Sequence, residues 1–265
     1  MLGLDVLRRV RARMGPSSDR MAEAGAAAAR GDYDTAHSIW VVEAHAGDAR
    51  AQAEIGRSFM YGFGVERDPD LAHQWLSLAA KAESPLGQRL LGDFYFNGEN
   101  GKPDRAIAEE WYARAARHGE PVAQDMLSWI LAESDHRQPD YAAARDWALK
   151  AAAQGVATSM TRLGLLFNNA LGVERDANAA AQWWRKAALL GDADGQAMLG
   201  AAYHLGQGVP RDRVAALAWL TRARSAHSTF ADRFYSAVRD TCTPEEIGEA
   251  ERQSRLPLEM LEAAR

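Results

Sequence analysis

Five tryptophans recur at a constant spacing of 36 residues along this chain of 265 residues: Trp75, Trp111, Trp147, Trp183 and Trp219. A fixed period of roughly 20 to 50 residues is typical of a solenoid, in which one supersecondary unit is copied and stacked on itself. Such an array usually acts through an extended surface. The period therefore constrains the fold and also favours a binding function over a catalytic pocket.

Other residue types follow the same register. Alanine stands three residues before and four residues after each tryptophan, and an aspartate stands seven before it. A glycine (Ser128 in the third copy), always preceded by an aliphatic residue, stands nineteen before it. Offsets of three, four and seven are helical spacing, so we predict two helices per copy, with the aspartate capping the second. We expect the tryptophans to fill the gap to the neighbouring copy and Gly92 to face the alanine column.

The repeat resembles a known family. Its best copy carries Leu199, Gly200, Tyr203, Gly206, Gly208, Val209, Asp212, Ala216, Trp219 and Ala223, and the preceding joint carries Lys186, Ala187, Ala188, Gly191 and Asp192. This pattern is similar to the Sel1-like repeat (SLR), a relative of the tetratricopeptide repeat. The resemblance implies an all-α fold, a right-handed α/α superhelical solenoid of stacked antiparallel helix pairs. It also implies an adaptor or scaffold for protein complexes, often in bacterial signalling, envelope or host-interaction systems.

The register divides the chain into segments. We predict a basic N-terminal leader at 1–20, a short helix pair at 21–47, five repeats at 48–83, 84–119, 120–155, 156–191 and 192–224, and capping helices at 225–265. Thr243, Pro244 and Glu246 predict a helix start with a capping box. The third repeat departs from the pattern because residues 133–139 replace its glycine turn at unchanged length.

Composition excludes several classes of function. The net charge of −5 and the scattered arginines argue against nucleic-acid binding, which requires a clustered basic face. The single cysteine, Cys242, excludes a disulfide framework and the cysteine-rich branch of the family. No phosphate-binding loop, HExxH motif or nucleophile elbow is present, so we expect no enzyme, metal or cofactor. Residue types alone leave a Ser–His–Asp arrangement open.

The N-terminus has two interpretations. Residues 1–20 carry five arginines against two aspartates. The favoured interpretation is a short leader or first capping helix; the alternative is a basic amphipathic helix over 1–16 that contacts an anionic membrane. Charges interrupt the apolar run that a signal peptide requires, and no apolar run is long enough to span a membrane, so we expect a cytoplasmic location.

The resemblance places partner binding on the first helix of each pair, which lines the concave face in tetratricopeptide repeats. The predicted groove residues for a protein or peptide partner are Arg57, Tyr61, Arg89, Asp93, Phe96, Asn97, Asp125, Trp129, Leu165, Asn168, Asn169 and His204. The same columns contain Arg50, Ala53, Met60, Leu86, Val122, Ala132, Glu133, Thr158, Thr161, Asp194, Ala197, Ala201 and Leu205. The residue type varies along these columns but not along the packing columns. Such variation is expected of a binding surface, and also of a solvated face that nothing constrains.

Two further alternatives stay open. Trp129 is expected either in the groove, as an aromatic anchor, or packed inward to compensate for the irregular third copy. The whole chain is expected to act as an adaptor, or else as a constitutive subunit that docks through its convex or terminal helices.

Overall fold

A computed structural model describes residues 17–133, 138–258 and 260, and every regular element in these residues is a helix. The helices are α1 Ser17–Ala29, α2 Tyr33–His45, α3 Ala49–Tyr61, α4 Pro69–Lys81, α5 Pro85–Asn97, α6 Arg105–Arg117, α7 Pro121–Glu133, α8 Tyr141–Ala153, α9 Ala157–Asn168, α10 Ala177–Leu189, α11 Ala193–Leu205, α12 Arg213–Ser225, α13 Thr229–Arg239 and α14 Pro244–Ser254. The leader at 1–16 and the centre of the third turn, 134–137, lie outside the described residues.

The chain forms two compact units, Met1–Gln124 and Asp125–Arg265. In the first, α1 packs on α2, α3 on α4 and α5 on α6. In the second, α9 packs on α10 and α11 on α12, while α13 and α14 pack against α12. We call the first helix of each repeat pair the A helix and the second the B helix.

Each aspartate of the column makes two kinds of hydrogen bond within its copy. Each aspartate side chain accepts the N–H of the residue three further on, at 2.8–3.0 Å. Its backbone N–H donates to the carbonyl of an A-helix residue nine positions earlier, at 2.8–3.1 Å. The predicted caps are confirmed at Asp68, Asp104, Asp140, Asp176 and Asp212. The capping box that Thr243 forms with Glu246 is also confirmed.

The glycine column packs against the residue that follows each tryptophan. A Cβ added to Gly92 would lie 2.8 Å from the Tyr112 ring, and one added to Gly164 would lie 2.2 Å from Trp184 Nε1. Tyr112 is fully buried. The expectation that Gly92 faces the alanine column is therefore wrong: the missing side chain makes room for a ring. In the third copy, where Ser128 replaces glycine, the facing position holds the small Ala148.

Trp75, Trp111 and Trp183 pack where consecutive pairs meet, but these three and Trp147 are only half-buried. Trp75 packs against a core cluster that includes residues of α1 and α2, and Trp183 packs against one that includes residues of α8. Trp219, at 2 % exposure, is fully enclosed because its cluster also contains residues of the capping helices.

Two of the repeat positions with a left-handed backbone are not always glycine in the residues that the structure describes. The A helix ends on Gly62, Gly98 or Gly206 in three copies, with φ between 69° and 77°. Ala170 takes the same conformation in the fourth copy, with φ 55°. The second position, which we call the joint position, follows each B helix and is glycine at 47, 119, 155 and 191, but Glu83 and His227 elsewhere. A side chain in this region is strained, so these exceptions are informative.

Candidate binding surface

On the A-helix surface of the first unit, the predicted residues Arg89 and Asp93 belong to a buried polar network. They form an ion pair one helical turn apart, and Arg89 Nε lies 3.4 Å from Glu120 Oε1. The Tyr112 hydroxyl donates to Asp93 at 2.7 Å. Burial raises the pKa of Asp93 and of Glu120, and burial together with the Asp93 charge raises the pKa of Tyr112. Arg89 and Asp93 thus form a fixed floor whose charges are largely satisfied within the protein.

In two ion pairs on the same surface, the arginine is more exposed to solvent than its acidic partner. Arg57 lies 2.7 Å from Glu54, and the arginine side chain is 32 % exposed against 11 % for the glutamate. Arg67 pairs with Glu99 and is 57 % exposed against 9 %. Burial raises the pKa of Glu54, although Arg57 opposes that shift. Because the acids are covered and the guanidinium groups are not, this surface presents positive charge despite the net negative charge of the chain.

Aromatic rings stand beside these arginines. Tyr61 is 43 % exposed, and its ring centroid lies 5.7 Å from that of the half-buried Phe63. Phe63 in turn stacks on Tyr33 at 5.0 Å. Phe96 is half-buried, and Arg105 lies 6.0 Å from the centre of its ring. Asn97 is exposed at the end of α5. The first unit therefore brings together six of the predicted residues around α3 and α5.

In the second unit, Asp125 links the A helices α7 and α9. Its carboxylate accepts from Arg162 at 2.6 Å and from the Thr158 hydroxyl at 2.9 Å. The Ser159 hydroxyl donates to the same group. This arrangement resembles the contact of Arg89 with Glu120, because both join one A helix to the segment that begins the next. Asp125 stabilises the stacking of copies and has few acceptor positions left.

The remaining predicted residues are spread over the second unit. Trp129 and Leu165 are half-buried, and Leu165 packs against the cluster that contains Trp184. Asn168 donates to Asn169 at 2.9 Å. His204 lines a cavity of about 570 Å³. The half-buried position of Trp129 favours neither of its two interpretations.

The wider inward columns are partly core. Ala53, Met60, Thr161, Ala197 and Ala201 are all buried, with exposures of 0 to 7 %. The expectation that these positions face a groove is wrong because the A helix uses them to pack against its neighbours. Arg50, Tyr61, Asn97, Asn169 and Leu205 are exposed. The surface is therefore narrower than the sequence register suggests.

Chemistry-bearing groups are sparse elsewhere. Within residues 17–133 and 138–258, no group of three His, Cys, Asp or Glu side chains is placed to hold a metal ion. In the same residues no helix has both the length and the apolar character that a membrane crossing requires. Burial raises the pKa of the Cys242 thiol, which keeps it in its less reactive form.

The paired helices, the repeated caps and the recurring packing positions define an α/α repeat protein. More specifically, the chain belongs to the Sel1 repeat family, whose repeat matches residues 49–84, 85–120, 121–156, 157–192 and 193–228. Sel1 repeat proteins are generally protein–protein interaction modules and are typically non-enzymatic scaffolds.

Solved structures agree with this assignment. A Sel1 repeat protein from Oxalobacter formigenes is 28 % identical, with a TM-score of 0.74 over 92 % of this chain and 100 % of its own. The protein c5321, a protective antigen present in uropathogenic Escherichia coli strains that displays an SLR fold, is 23 % identical, with a TM-score of 0.58 over 94 % of this chain and 62 % of its own. A putative Sel1 repeat protein from Klebsiella pneumoniae is 18 % identical, with a TM-score of 0.51 over 77 % and 99 %. A comparison with curated proteins gave no match.

Proposed function

We propose that this protein is a non-enzymatic adaptor that holds a protein or peptide partner against its A helices, in the groove expected from the family resemblance. The observation that carries the proposal is the combination found on the first unit. Exposed Tyr61 stands near Arg57, Asn97 is exposed at the end of α5, and the acidic partners of Arg57 and Arg67 are largely covered. Aromatic and arginine side chains are the types that concentrate binding energy at protein interfaces.

The polar network below this surface supports binding more than catalysis. Asp93 is held by Arg89 and Tyr112, so it is already engaged in the resting protein. A fixed floor beneath arginines that are already held in ion pairs lowers the ordering cost of binding. The exposed positive charge favours a partner segment that carries carboxylates beside an apolar side chain. We retain the cytoplasmic location expected from the sequence as part of this proposal, and cell fractionation tests it.

A second candidate has its own support. The B helices expose Leu78 (48 %), Ile107 (37 %) and Leu149 (39 %), which a constitutive subunit could bury against a larger complex. In that case the A-helix surface would stay free. The two candidates thus differ in which side of the helix pairs a partner touches.

Site-specific photo-crosslinking in the native cell separates the candidates. A photo-reactive phenylalanine analogue is placed at Tyr61 or, as a matched control of similar exposure on a B helix, at Leu78. We expect a discrete adduct from position 61 that disappears when Arg57→Glu is added, while circular dichroism shows an unchanged fold. Adducts from position 78 alone would instead support the subunit interpretation and overturn the adaptor proposal.

A further inference from the structure

A cavity of about 270 Å³ lies where the C-terminal ends of the B helices α4 and α6 meet in the first unit. Lys81, Arg114 and Arg117 line it together with one acid, Glu83. Arg114 stacks on the Trp111 ring, with its guanidinium carbon 4.4 Å from the ring centre. Stacking fixes the guanidinium plane and leaves its N–H groups available at the edge.

The three cations of this cavity have no acidic partner. Within residues 17–133 and 138–258, no carboxylate lies at ion-pair distance from Lys81, Arg114 or Arg117. Basic residues in the last turn interact favourably with the negative end of a helix, which accounts for some positive charge here. Three of them converging on one cavity provide more positive charge than two helix ends require, so the cavity is suited to an anionic group.

The floor of the same cavity holds a buried acceptor without a donor. Gln88 is 4 % exposed, and its Oε1 has no hydrogen-bond partner. A buried unsatisfied carbonyl is unfavourable for folding, and its persistence calls for a specific explanation. An N–H or O–H donor would satisfy this oxygen, so a ligand that carries a donor as well as negative charge fits the cavity.

Glu83 adds a third independent observation. It occupies the joint position with φ 58°, where residues 47, 119, 155 and 191 are glycine. Nothing in the turn requires a side chain there, since four joints manage without one. Strain of this kind tends to be kept at functional sites. A carboxylate at the rim gives a second acceptor for a donor on the ligand.

The fifth copy shows what an arginine at the repeat position of Arg114 binds. Arg222, which is equivalent to Arg114 in the repeat, donates one guanidinium N–H group to the carbonyl oxygens of Ser254 and Leu256, at 2.7 and 2.5 Å. Ser254 is the last residue of α14, and Leu256 follows two residues later. The chain thus already uses this repeat position to bind the carboxyl end of a helix. In that copy a single arginine, Arg222, binds neutral carbonyl oxygens.

We propose that the cavity between α4 and α6 binds the carboxyl-terminal end of a partner polypeptide. The terminal carboxylate lies against Arg114 and its neighbours Lys81 and Arg117. A backbone N–H of the last residues donates to Gln88 Oε1, and Glu83 accepts a second one. The three cations match a full negative charge, whereas a helix that continues beyond the site offers only carbonyl oxygens. This site is separate from the A-helix surface and does not depend on the function proposed for it.

Fluorescence anisotropy of the full chain tests the proposal. The probe is a pool of N-terminally labelled random octapeptides, made once with a free C-terminal carboxylate and once as C-terminal amides. We expect the carboxylate pool to bind at least about tenfold more tightly, which corresponds to about 1.4 kcal/mol. Arg114→Gln should abolish this difference. Lys150→Gln, at the equivalent repeat position on Trp147, is the matched control and should leave binding unchanged.

Two results would overturn the assignment. Equal affinity for the acid and amide pools, including no affinity for either, excludes recognition of a terminal carboxylate. Binding of inorganic phosphate without affinity for either peptide pool, at constant ionic strength, would show a simple anion site.

Glu83→Gly distinguishes a binding role from a structural one. Glycine relieves the left-handed strain, so the thermal midpoint should rise while affinity for the carboxylate pool falls several-fold. Gln88→Met introduces the residue found at the equivalent Met160 of the fourth copy, so the fold should persist. It should also weaken peptide binding. If both variants bind like wild type, the acceptor groups have no part in recognition and the proposal fails.

Discussion

Replacing Gly164 with alanine should destabilise the second unit by about 2 kcal/mol. The added Cβ would lie 2.2 Å from Nε1 and 2.4 Å from Cδ1 of Trp184. The indole is 4 % exposed and donates a hydrogen bond to the Thr161 carbonyl at 3.2 Å. It cannot retreat without losing that bond and disturbing its packing.

The magnitude follows from three contributions. Overpacking a well-packed core costs about 1–3 kcal/mol. Loss of the indole hydrogen bond adds about 1 kcal/mol. Alanine is a better helix former than glycine, which returns about 1 kcal/mol. The net loss in free energy of unfolding is therefore about 1–3 kcal/mol, combining these terms.

Urea unfolding followed by far-ultraviolet circular dichroism measures this loss without relying on the tryptophan signal. Gly25→Ala is the matched control, because nothing lies within 4 Å of its added Cβ and its φ is not left-handed. That variant should gain up to about 1 kcal/mol. In a Trp184→Ala background, the cost of Gly164→Ala should fall by at least about 1 kcal/mol. An unchanged urea midpoint for Gly164→Ala, or strictly additive costs in the double variant, would refute the packing argument.

Three further outcomes are expected. Ala170→Gly removes a left-handed alanine and should stabilise the protein by about 0.5–1 kcal/mol, visible as a higher thermal midpoint; a lower midpoint would contradict the strain. Asp104→Ala deletes a helix cap and should cost about 1 kcal/mol in urea unfolding, whereas Asp104→Asn, which keeps the acceptor, should cost much less. Burial raises the pKa of Glu54 above its ordinary value of 4.5, so its contribution to stability is largest below that pH and decreases as the pH rises through the folded pKa. Wild type should therefore gain stability relative to Glu54→Gln as the pH is lowered through this window, and a constant difference across a pH series of unfolding curves would contradict the shift.

The sequence predicted those parts of the fold that depend on one residue type repeated at one position. The aspartate caps were found because every copy needs the same acceptor at the same helix start. The partner of the glycine column was missed because that position changes size, from Leu76 through Tyr112 and Ala148 to Trp184. Packing requires complementary volume and not a constant residue, so identity along the chain does not reveal it.

The candidate surface was harder to predict for a related reason. Helical register identified residues on the A helices, but it did not separate Met60, which is buried, from the exposed Tyr61 beside it. It also could not pair Arg89 with Glu120, since that contact joins α5 to the residue that precedes α7. The cavity near α4 and α6 could have been noticed from the register, because Glu83 stands where four of the other five joints have glycine.

The joint position has a consequence for how such a chain can change in length. Every joint bends the backbone in the same left-handed way, whether glycine or another residue is present. The end of one repeat and the start of the next are therefore interchangeable, so a whole block of 36 residues, such as 157–192, can be gained or lost with both ends still fitting. This interchangeability favours evolution of the array by entire modules.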